Sequence, residues 1–412
     1  MKVKRVFDKE QFENTIFKLS EGARIEDRYI KIILGQFKTL IRLCQITGAP
    51  FSIEDLKCEK RKCPRPIMLY CVLLNLFRIV NFVFIANFAH FYFMLNSLLI
   101  TFYAYNICAL SSLFILSLRR RAVISAMKTT LKMAAKMNNK LKDKKWNMVV
   151  LVLTYAIAVL GVTASIGMTV HNNASLKNVP ASIKFCGFSF ESMQREKFLL
   201  VIKFSLAFTF FSSTTICGTI LLLSSTVYFY LSETVCGFGF KLKKRFESKA
   251  LSQISVAENI CTFQKLLRMV WKVDKAFSTA VLFLYGSSVS CFFNALSVVF
   301  GAKKIFVALC IFAAAMFATS LGSFFLLTHA GNRVNWKFQE LRNSLISCSS
   351  LALHSSMNVR ELASFNIMVQ DIRNSDMHLT GGDMFIIRKD MILTVAGVMI
   401  SYGVLIFQLD KP

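Results

Sequence analysis

The chain has 412 residues, 55% of them hydrophobic and 18% charged, with a formal net charge of +27 and a mean hydropathy of +0.52. That apolar content, with 40 Phe and only 5 Pro, excludes an ordinary soluble domain and describes long, uninterrupted helices of a many-pass, all-α membrane protein. The positive charge sits in loops between apolar blocks, with no zinc-finger spacing, basic zipper or aromatic RNA-binding motif, so it reads as the positive-inside rule and not as a nucleic-acid surface.

Residues 1–66 form the first region, expected to be cytoplasmic. Its opening stretch, MKVKRVFDKEQFENTIFKLSEG, has no apolar core of signal-peptide type and no Met-Gly start for myristoylation, so the first membrane segment is expected to do its own targeting. Seven spans follow, each long enough to cross a bilayer core that needs roughly 20 apolar residues. They are Ile67–Phe88, Phe93–Leu118, Met148–Val170, Phe198–Leu231, Ala276–Phe300, Ile305–Thr328 and Met391–Leu409. Only Ala89 to Tyr92 separate the first two, which predicts a tight helical hairpin. As a helix the fourth would be about 51 Å long against roughly 30 Å of hydrocarbon, so its C-terminal turns should project beyond the membrane or tilt strongly.

Loop charge sets the orientation. Lys57, Lys60, Arg61, Lys62 and Arg65 precede the first span. Arg119, Arg120, Arg121, Lys128, Lys132, Lys136, Lys140, Lys142, Lys144 and Lys145 lie between spans two and three against Asp143 alone. Lys241 to Lys275 is similarly basic, whereas the alternate loops hold only Lys177, Lys184, Arg195 and Lys197, or Lys303 and Lys304. The N-terminus is therefore expected in the cytoplasm and the C-terminus outside. The sequon Asn173-Ala174-Ser175 then falls on the outer side, making Asn173 a glycosylation candidate. Among the 12 Cys only Cys186 lies in an outer loop, and Cys58 and Cys63 read as reduced thiols without the partners that zinc requires.

Residues 67–328 thus form a six-helix bundle with cytoplasmic loops, and residues 329–390 a cytosolic helical region. In the latter, Glu340–Ile346 and Met357–Met377 carry amphipathic periodicity, with Leu362, Phe365, Ile367, Met368 and Ile372 on the apolar stripe. Thr380-Gly381-Gly382 breaks the chain before the last segment, residues 391–412. No catalytic constellation, metal-ligand cluster or cofactor fingerprint occurs, and the five His are scattered, so an enzyme is not expected. Two cations stand inside apolar spans. Lys203 is near enough to the outer end of its span to snorkel. Arg78 falls near the middle of the first span, where a lone charge costs roughly 2.5–3.5 kcal/mol on insertion scales, so it is expected to face a water-filled or polar interior and hold a neighbouring helix by hydrogen bonds.

The last span ends Ser401-Tyr402-Gly403-Val404-Leu405-Ile406-Phe407-Gln408-Leu409. It resembles the C-terminal signature of insect gustatory receptors: Thr-Tyr, five apolar residues, then Gln-Phe. Tyr402 and Gln408 match, Ser401 stands for the Thr and Leu409 for the Phe. Gly382-Asp383-Met384-Phe385-Ile386 is similar to the family's lead-in to that span, and Leu43 to Phe51 to its pre-membrane Leu/Gly/Pro-Phe segment.

The resemblance implies a homotetrameric, ligand-gated, non-selective cation channel in the plasma membrane of chemosensory neurons. The last helix of each subunit would line a central pore, cytosolic helices would anchor the subunits, and a small tastant would bind within each bundle. Co-assembly with related receptors is compatible with it, and no cofactor is implied.

On a helix, Ser401, Leu405 and Gln408 share one stripe at i, i+4 and i+7. Facing a fourfold axis they would present a hydroxyl, a hydrophobic constriction that closes by dewetting, and an amide ring. Tyr402 and Gly403 are then packing positions. The pool of candidate ligand contacts is Tyr92, Asn96, Thr101 and Tyr103 in the second span, Thr163 and Ser165 in the third, and Tyr285, Ser288, Phe292 and Asn294 in the fifth. The sugar branch of the family typically has Glu after the motif Tyr. Gly403 there favours a bitter plant compound, with a fructose-type sugar as the alternative, and an odorant receptor subunit or a G-protein-coupled receptor further off.

Overall fold

Lipid offers no partner to backbone N–H and C=O groups, and the chain meets that constraint almost wholly with helices. The computed structural model describes residues 29, 37–57, 65–92, 96–137, 183–185, 188–190, 192–247, 253–301, 307–352 and 359–409. In order these are α1 (Lys38–Ile46), α2 (Ile53–Lys57), α3 (Arg65–Tyr92), α4 (Asn96–Leu118), α5 (Arg120–Met137), β1 (Ile183–Phe185), β2 (Phe188–Phe190), α6 (Ser192–Glu247), α7 (Gln253–Gly301), α8 (Val307–Ala352), α9 (Val359–Asn374), β3 (Thr380–Gly381), β4 (Phe385–Ile386) and α10 (Asp390–Leu409).

Among the described residues, four helices contain stretches long and apolar enough to cross a membrane: Arg65–Asn87, Leu200–Arg245, Val256–Leu296 and Ala313–Ile346. Phe102–Leu118 and Asp390–Tyr402 are shorter apolar helices. The expected spans thus fall on α3, α4, α6, α7, α8 and α10. Met148–Val170, with Thr163, Ser165 and the sequon at Asn173, lies outside the described residues.

Three helices outrun their expected limits. α6, α7 and α8 have 56, 49 and 46 residues, about 84, 74 and 69 Å at ~1.5 Å per residue. Glu340–Ile346, expected to be amphipathic and helical, is helical as part of α8, which runs on from the sixth expected span without a break. The sequence from Thr328 to Ala352 contains no Pro, so nothing stops propagation. Met357–Met377 does contain a separate helix, α9, ending at Asn374. Beyond the spans expected from the sequence, the extensions are tied by stacked Phe238–Phe263 and Phe263–Phe338 rings, 6.3 and 6.4 Å apart, and by an Arg333–Glu233 ion pair of 2.6 Å.

α4, α6, α7 and α8 share the main core, with Ala109, Leu113, Ile216, Ile220, Phe277, Ala280, Val281 and Phe324 fully buried. α3 lies on its outside. Leu69, Leu73, Leu76, Val80 and Val83 are exposed, while one polar contact fixes α3 to α6: Asn81 Nδ2 donates to Ser205 O at 3.0 Å and Thr209 Oγ1 at 2.7 Å. A row of exposed apolar side chains along a span-length helix is what a lipid-facing surface requires.

The expected pre-membrane segment is bound to α3 through the same economy. The turn after α1 takes Gly48 into the left-handed region at φ 82°. A Cβ there would meet Asn75 Oδ1 at 2.5 Å, so glycine is required on both counts. Asn75 Nδ2 donates to Gly48 O at 2.9 Å. Arg78 Nη1 donates to Thr47 O and, at 3.2 Å, to Asn75 Oδ1. Arg78 is therefore buried and hydrogen-bonded as expected, but to the turn after α1 and to its own helix instead of a neighbouring helix.

Cys44, on α1, is buried at the centre of this joint, and that burial pushes its thiol up to about 12. Since the thiolate is the reacting form, a maleimide at neutral pH should label exposed Cys261 and leave Cys44 untouched until the protein is denatured. Mass spectrometry of labelled peptides checks this; labelling of Cys44 in the native protein would show the joint to be open.

Candidate functional site

Four helices enclose a cavity in the apolar layer. Tyr105 reaches it from α4; Thr214, Cys217, Gly218 and Leu221 from α6; Leu284, Ser287 and Ser288 from α7; and Thr319, Ser320, Ser323 and Leu327 from α8. Its water-accessible volume is about 20 Å³, room for a water or two, so an organic molecule enters only if side chains or helices move.

The chemistry of this wall follows from local helix geometry. A Ser or Thr inside a helix donates its proton to a carbonyl one turn back. Thr214 donates to Phe210 O at 2.9 Å, Ser287 and Ser288 to Leu284 O at 2.8 and 3.1 Å, and Thr319 to Ala315 O at 2.6 Å. Tyr105 in turn donates to Thr214 Oγ1 at 3.0 Å. With their protons engaged, these oxygens offer lone pairs. The cavity is thus apolar with an acceptor-rich side, suited to a small molecule that brings its own O–H or N–H donors.

A hairpin connects this cavity wall to the last helix. β3 and β4 pair antiparallel, Thr380 with Ile386 and Gly381 with Phe385. The expected break at Thr380-Gly381-Gly382 is this strand and its turn. Asp274 of α7 accepts from Thr380 N at 2.6 Å and from Thr380 Oγ1 at 2.9 Å. Gly382, at φ 62°, donates its N–H to Ser278 O at 2.9 Å, and a Cβ on it would lie 2.7 Å from Leu282. Phe385 meets the Tyr285 ring edge-to-face at 5.4 Å. Tyr285 also packs on Phe324 at 5.2 Å and shares a 3.0 Å hydrogen bond with Thr328. Leu284, its chain neighbour, lines the cavity.

α10 then runs beside α7, with Tyr402 against Phe293 at a centroid distance of 4.4 Å. Its other side is free of the bundle: Leu393, Val398, Ile400, Ser401 and Val404 are exposed, and nothing lies within 4 Å of a Cβ built on Gly397.

Searches against known proteins divide sharply between sequence and structure. No family model matches the chain, and no curated protein matches it in sequence. Among solved structures, the insect olfactory receptor OR5 from Machilis hrabei in complex with eugenol superposes with a TM-score of 0.67 at 14% identity, covering 93% of this chain and 100% of that one. A second structure of OR5 from Machilis hrabei superposes with a TM-score of 0.64 at 13% identity over the same shares. The chain has the fold of an insect olfactory receptor. With four span-length apolar helices, it is a multi-pass membrane protein.

Within this receptor fold the candidate residues separate. Ser288 lines the cavity. Tyr285 points to the hairpin, and Phe292 packs on Phe317 and Phe324 at 5.5 and 6.2 Å. Asn294 is buried with Oδ1 unpaired, away from the cavity lining. Tyr103 is half-buried and donates to Ala86 O at 2.7 Å, joining α4 to α3. Tyr92, Asn96 and Thr101 are helical positions whose side chains lie outside the description, as do those of Leu405 and Gln408. Position 403 is helical, and α10 continues to Leu409, so positions 405 and 408 keep their i+4 and i+7 register from Ser401.

Tyr105, Thr214, Thr319, Ser320 and Ser323 are absent from the pool expected from the sequence, whose members lie in the outer parts of spans two, three and five. The run Ser212-Ser213-Thr214-Thr215 in α6 and the spacing Thr319, Ser320, Ser323 in α8 are the signals that mark this wall.

Removing the Asp274 carboxylate leaves the Thr380 N–H without its partner, a loss of about 1–3 kcal/mol. Asp274→Ala should therefore speed amide hydrogen exchange across residues 380–387 by tenfold or more, leaving α5 unchanged. Unaltered protection of the hairpin would mean that this clamp does not hold it.

Proposed function

We propose that the protein is a chemosensory ligand-gated cation channel, a homotetramer whose last helices surround a central pore and which a small organic molecule opens. The observation that carries this reading is the placement of α10. Its Tyr402 side is held by Phe293, while the face bearing Ser401 is turned away from the subunit's own bundle. An apolar helix face with a polar stripe, exposed on one subunit, has a use when further copies close around it. The receptor fold of the structural neighbours supports the same reading.

In this proposal the N-terminus and the extensions of α6, α7, α8 and α9 lie in the cytoplasm, where they anchor neighbouring subunits, and the C-terminus lies outside. A leucine ring at Leu405 dewets and closes the pore; Gln408 amides and Ser401 hydroxyls hydrate passing cations on either side of it. The ligand binds between α4, α6, α7 and α8. By forcing the closed cavity apart it shifts α7, and the Tyr285–Phe385 contact carries that shift to α10. The acceptor-rich wall selects a ligand with a hydroxyl donor. One neighbour holds eugenol, a phenol with one such donor. A bitter plant compound fits this pattern, with Gly403 in place of the Glu of the sugar branch. A fructose-type sugar is the second reading, favoured by the number of acceptors in the wall.

Expression in a heterologous cell, with currents recorded against sugars, plant alkaloids and glycosides, tests this directly. A current that needs no G protein is expected. Gln408→Ala should alter gating or permeation at unchanged surface expression; normal currents from a well-expressed mutant would sink the pore assignment.

Ser320→Leu should fill the cavity and raise the half-maximal ligand concentration tenfold or more. Only ~1.4 kcal/mol of lost binding is needed for that factor. An unchanged dose response at normal surface expression would move the ligand elsewhere.

A further inference from the structure

A second cavity, sharing no lining residue with the first, lies between α3, α4 and α6. Arg78 and Asn81 of α3, Asn106 of α4, and Thr209, Ser212 and Ser213 of α6 supply its polar walls. Most of these groups already have partners. Asn81 is bonded to Ser205 and Thr209, Ser213 donates to Asn106 Oδ1 at 2.6 Å, and Asn106 Nδ2 donates to Phe102 O at 2.7 Å.

Two donors do not. Arg78 Nε and Ser212 Oγ are buried with no hydrogen-bond partner, on side chains of residues only 8% and 5% exposed. The bonds Arg78 does make, to Thr47 O and Asn75 Oδ1, are to neutral oxygens. Among the described residues no carboxylate pairs with it; the ion pairs there are those of Arg120, Arg245, Arg333 and Lys337.

We propose that this cavity is a monovalent anion site, in which one anionic centre accepts from Arg78 Nε–H and Ser212 O–H. A water would satisfy the donors but not the charge, and an uncompensated cation in an apolar helix favours an anion. The water-accessible volume is about 10 Å³, room for about one water, so chloride or one carboxylate oxygen enters with a small shift of the lining side chains, and sulfate or a phosphoester is too large. The carboxylate would come from the flank: Phe77, Ile79, Val80 and Val83 beside buried Arg78 are exposed, an apolar surface against which a fatty-acid chain can lie while its head group inserts between α3 and its neighbours. Bound there, the anion would join α3 to α6 beside the residue that holds the turn after α1.

The full chain, purified in detergent with sodium gluconate as the only salt, provides the test. Its unfolding temperature is followed while chloride replaces gluconate at constant ionic strength, and separately while oleate or oleyl alcohol is added. A saturable rise with one anion is expected: with chloride it assigns a free ion, with oleate but not the alcohol it assigns an amphiphile's carboxylate. Ser212→Ala is the decisive variant, because that hydroxyl makes no bond within the protein and its loss leaves the fold intact. It should weaken the apparent affinity roughly tenfold, as expected for one hydrogen bond to a charged group. No saturable response to either anion, or an identical response in Ser212→Ala, would overturn the site and leave the cavity to water.

Discussion

A polar side chain buried between apolar helices must find its partner within the protein, since lipid supplies none, and that requirement organises the whole of this structure. Apolar side chains contact one another and lipid tails about equally well, so they do not by themselves decide which helix packs on which. The directional contacts do. Asn81 with Thr209 sets α3 on α6, Tyr105 with Thr214 sets α4 on α6, and Tyr285 with Thr328 sets α7 on α8. Arg78 extends the same logic out of the bundle, since its only neutral acceptors lie on the turn after α1 and on its own helix. Arg78 and Ser212 each carry a donor for which the protein supplies no acceptor, and the two side chains line the same cavity.

The long helices transmit what happens at the cavity. α6, α7 and α8 each contribute to its wall and continue without interruption into the stacked layer of Phe238, Phe263 and Phe338. A straight helix is stiff along its axis, so a displacement at Leu284 or Ser288 reaches both ends of α7. α10 differs. It touches α7 through Tyr402, and its preceding hairpin is clamped at Asp274 and Ser278 and wedged at Phe385. α10, exposed along one side, thus hangs from a helix that borders the cavity.

The spans were legible because bilayer thickness and hydrocarbon polarity act on each segment separately. Ile67–Phe88 and Phe198–Leu231 announce themselves by length and composition, and the excess length of the latter already pointed to a helix leaving the apolar layer. The motif from Ser401 to Leu409 pointed to a receptor fold that the structural neighbours share. Less visible was the continuity of α8. Amphipathic periodicity from Glu340 to Ile346 is the same whether the helix starts afresh or carries on from Thr328. Hydroxyl positions misled for a related reason. A Ser or Thr in a helix bonds its own backbone, so its presence does not say whether it faces a cavity, as Ser288 does, or lies elsewhere, as Ser290 does with its bond to Gly286 O.

What the sequence alone determined is therefore local: apolar helices of bilayer length, basic connections, a glycine-rich break before the last helix, and a stripe carrying Ser401, Leu405 and Gln408. Only the tertiary structure decided which hydroxyls converge, that Tyr285 serves the hairpin and not the cavity, and that Arg78 meets a carbonyl contributed 31 residues earlier. The division has one physical cause. Helix formation in lipid is dictated by each segment's own backbone and composition, whereas the pairing of helices rests on a few directional bonds between residues far apart in the chain, which periodicity does not encode.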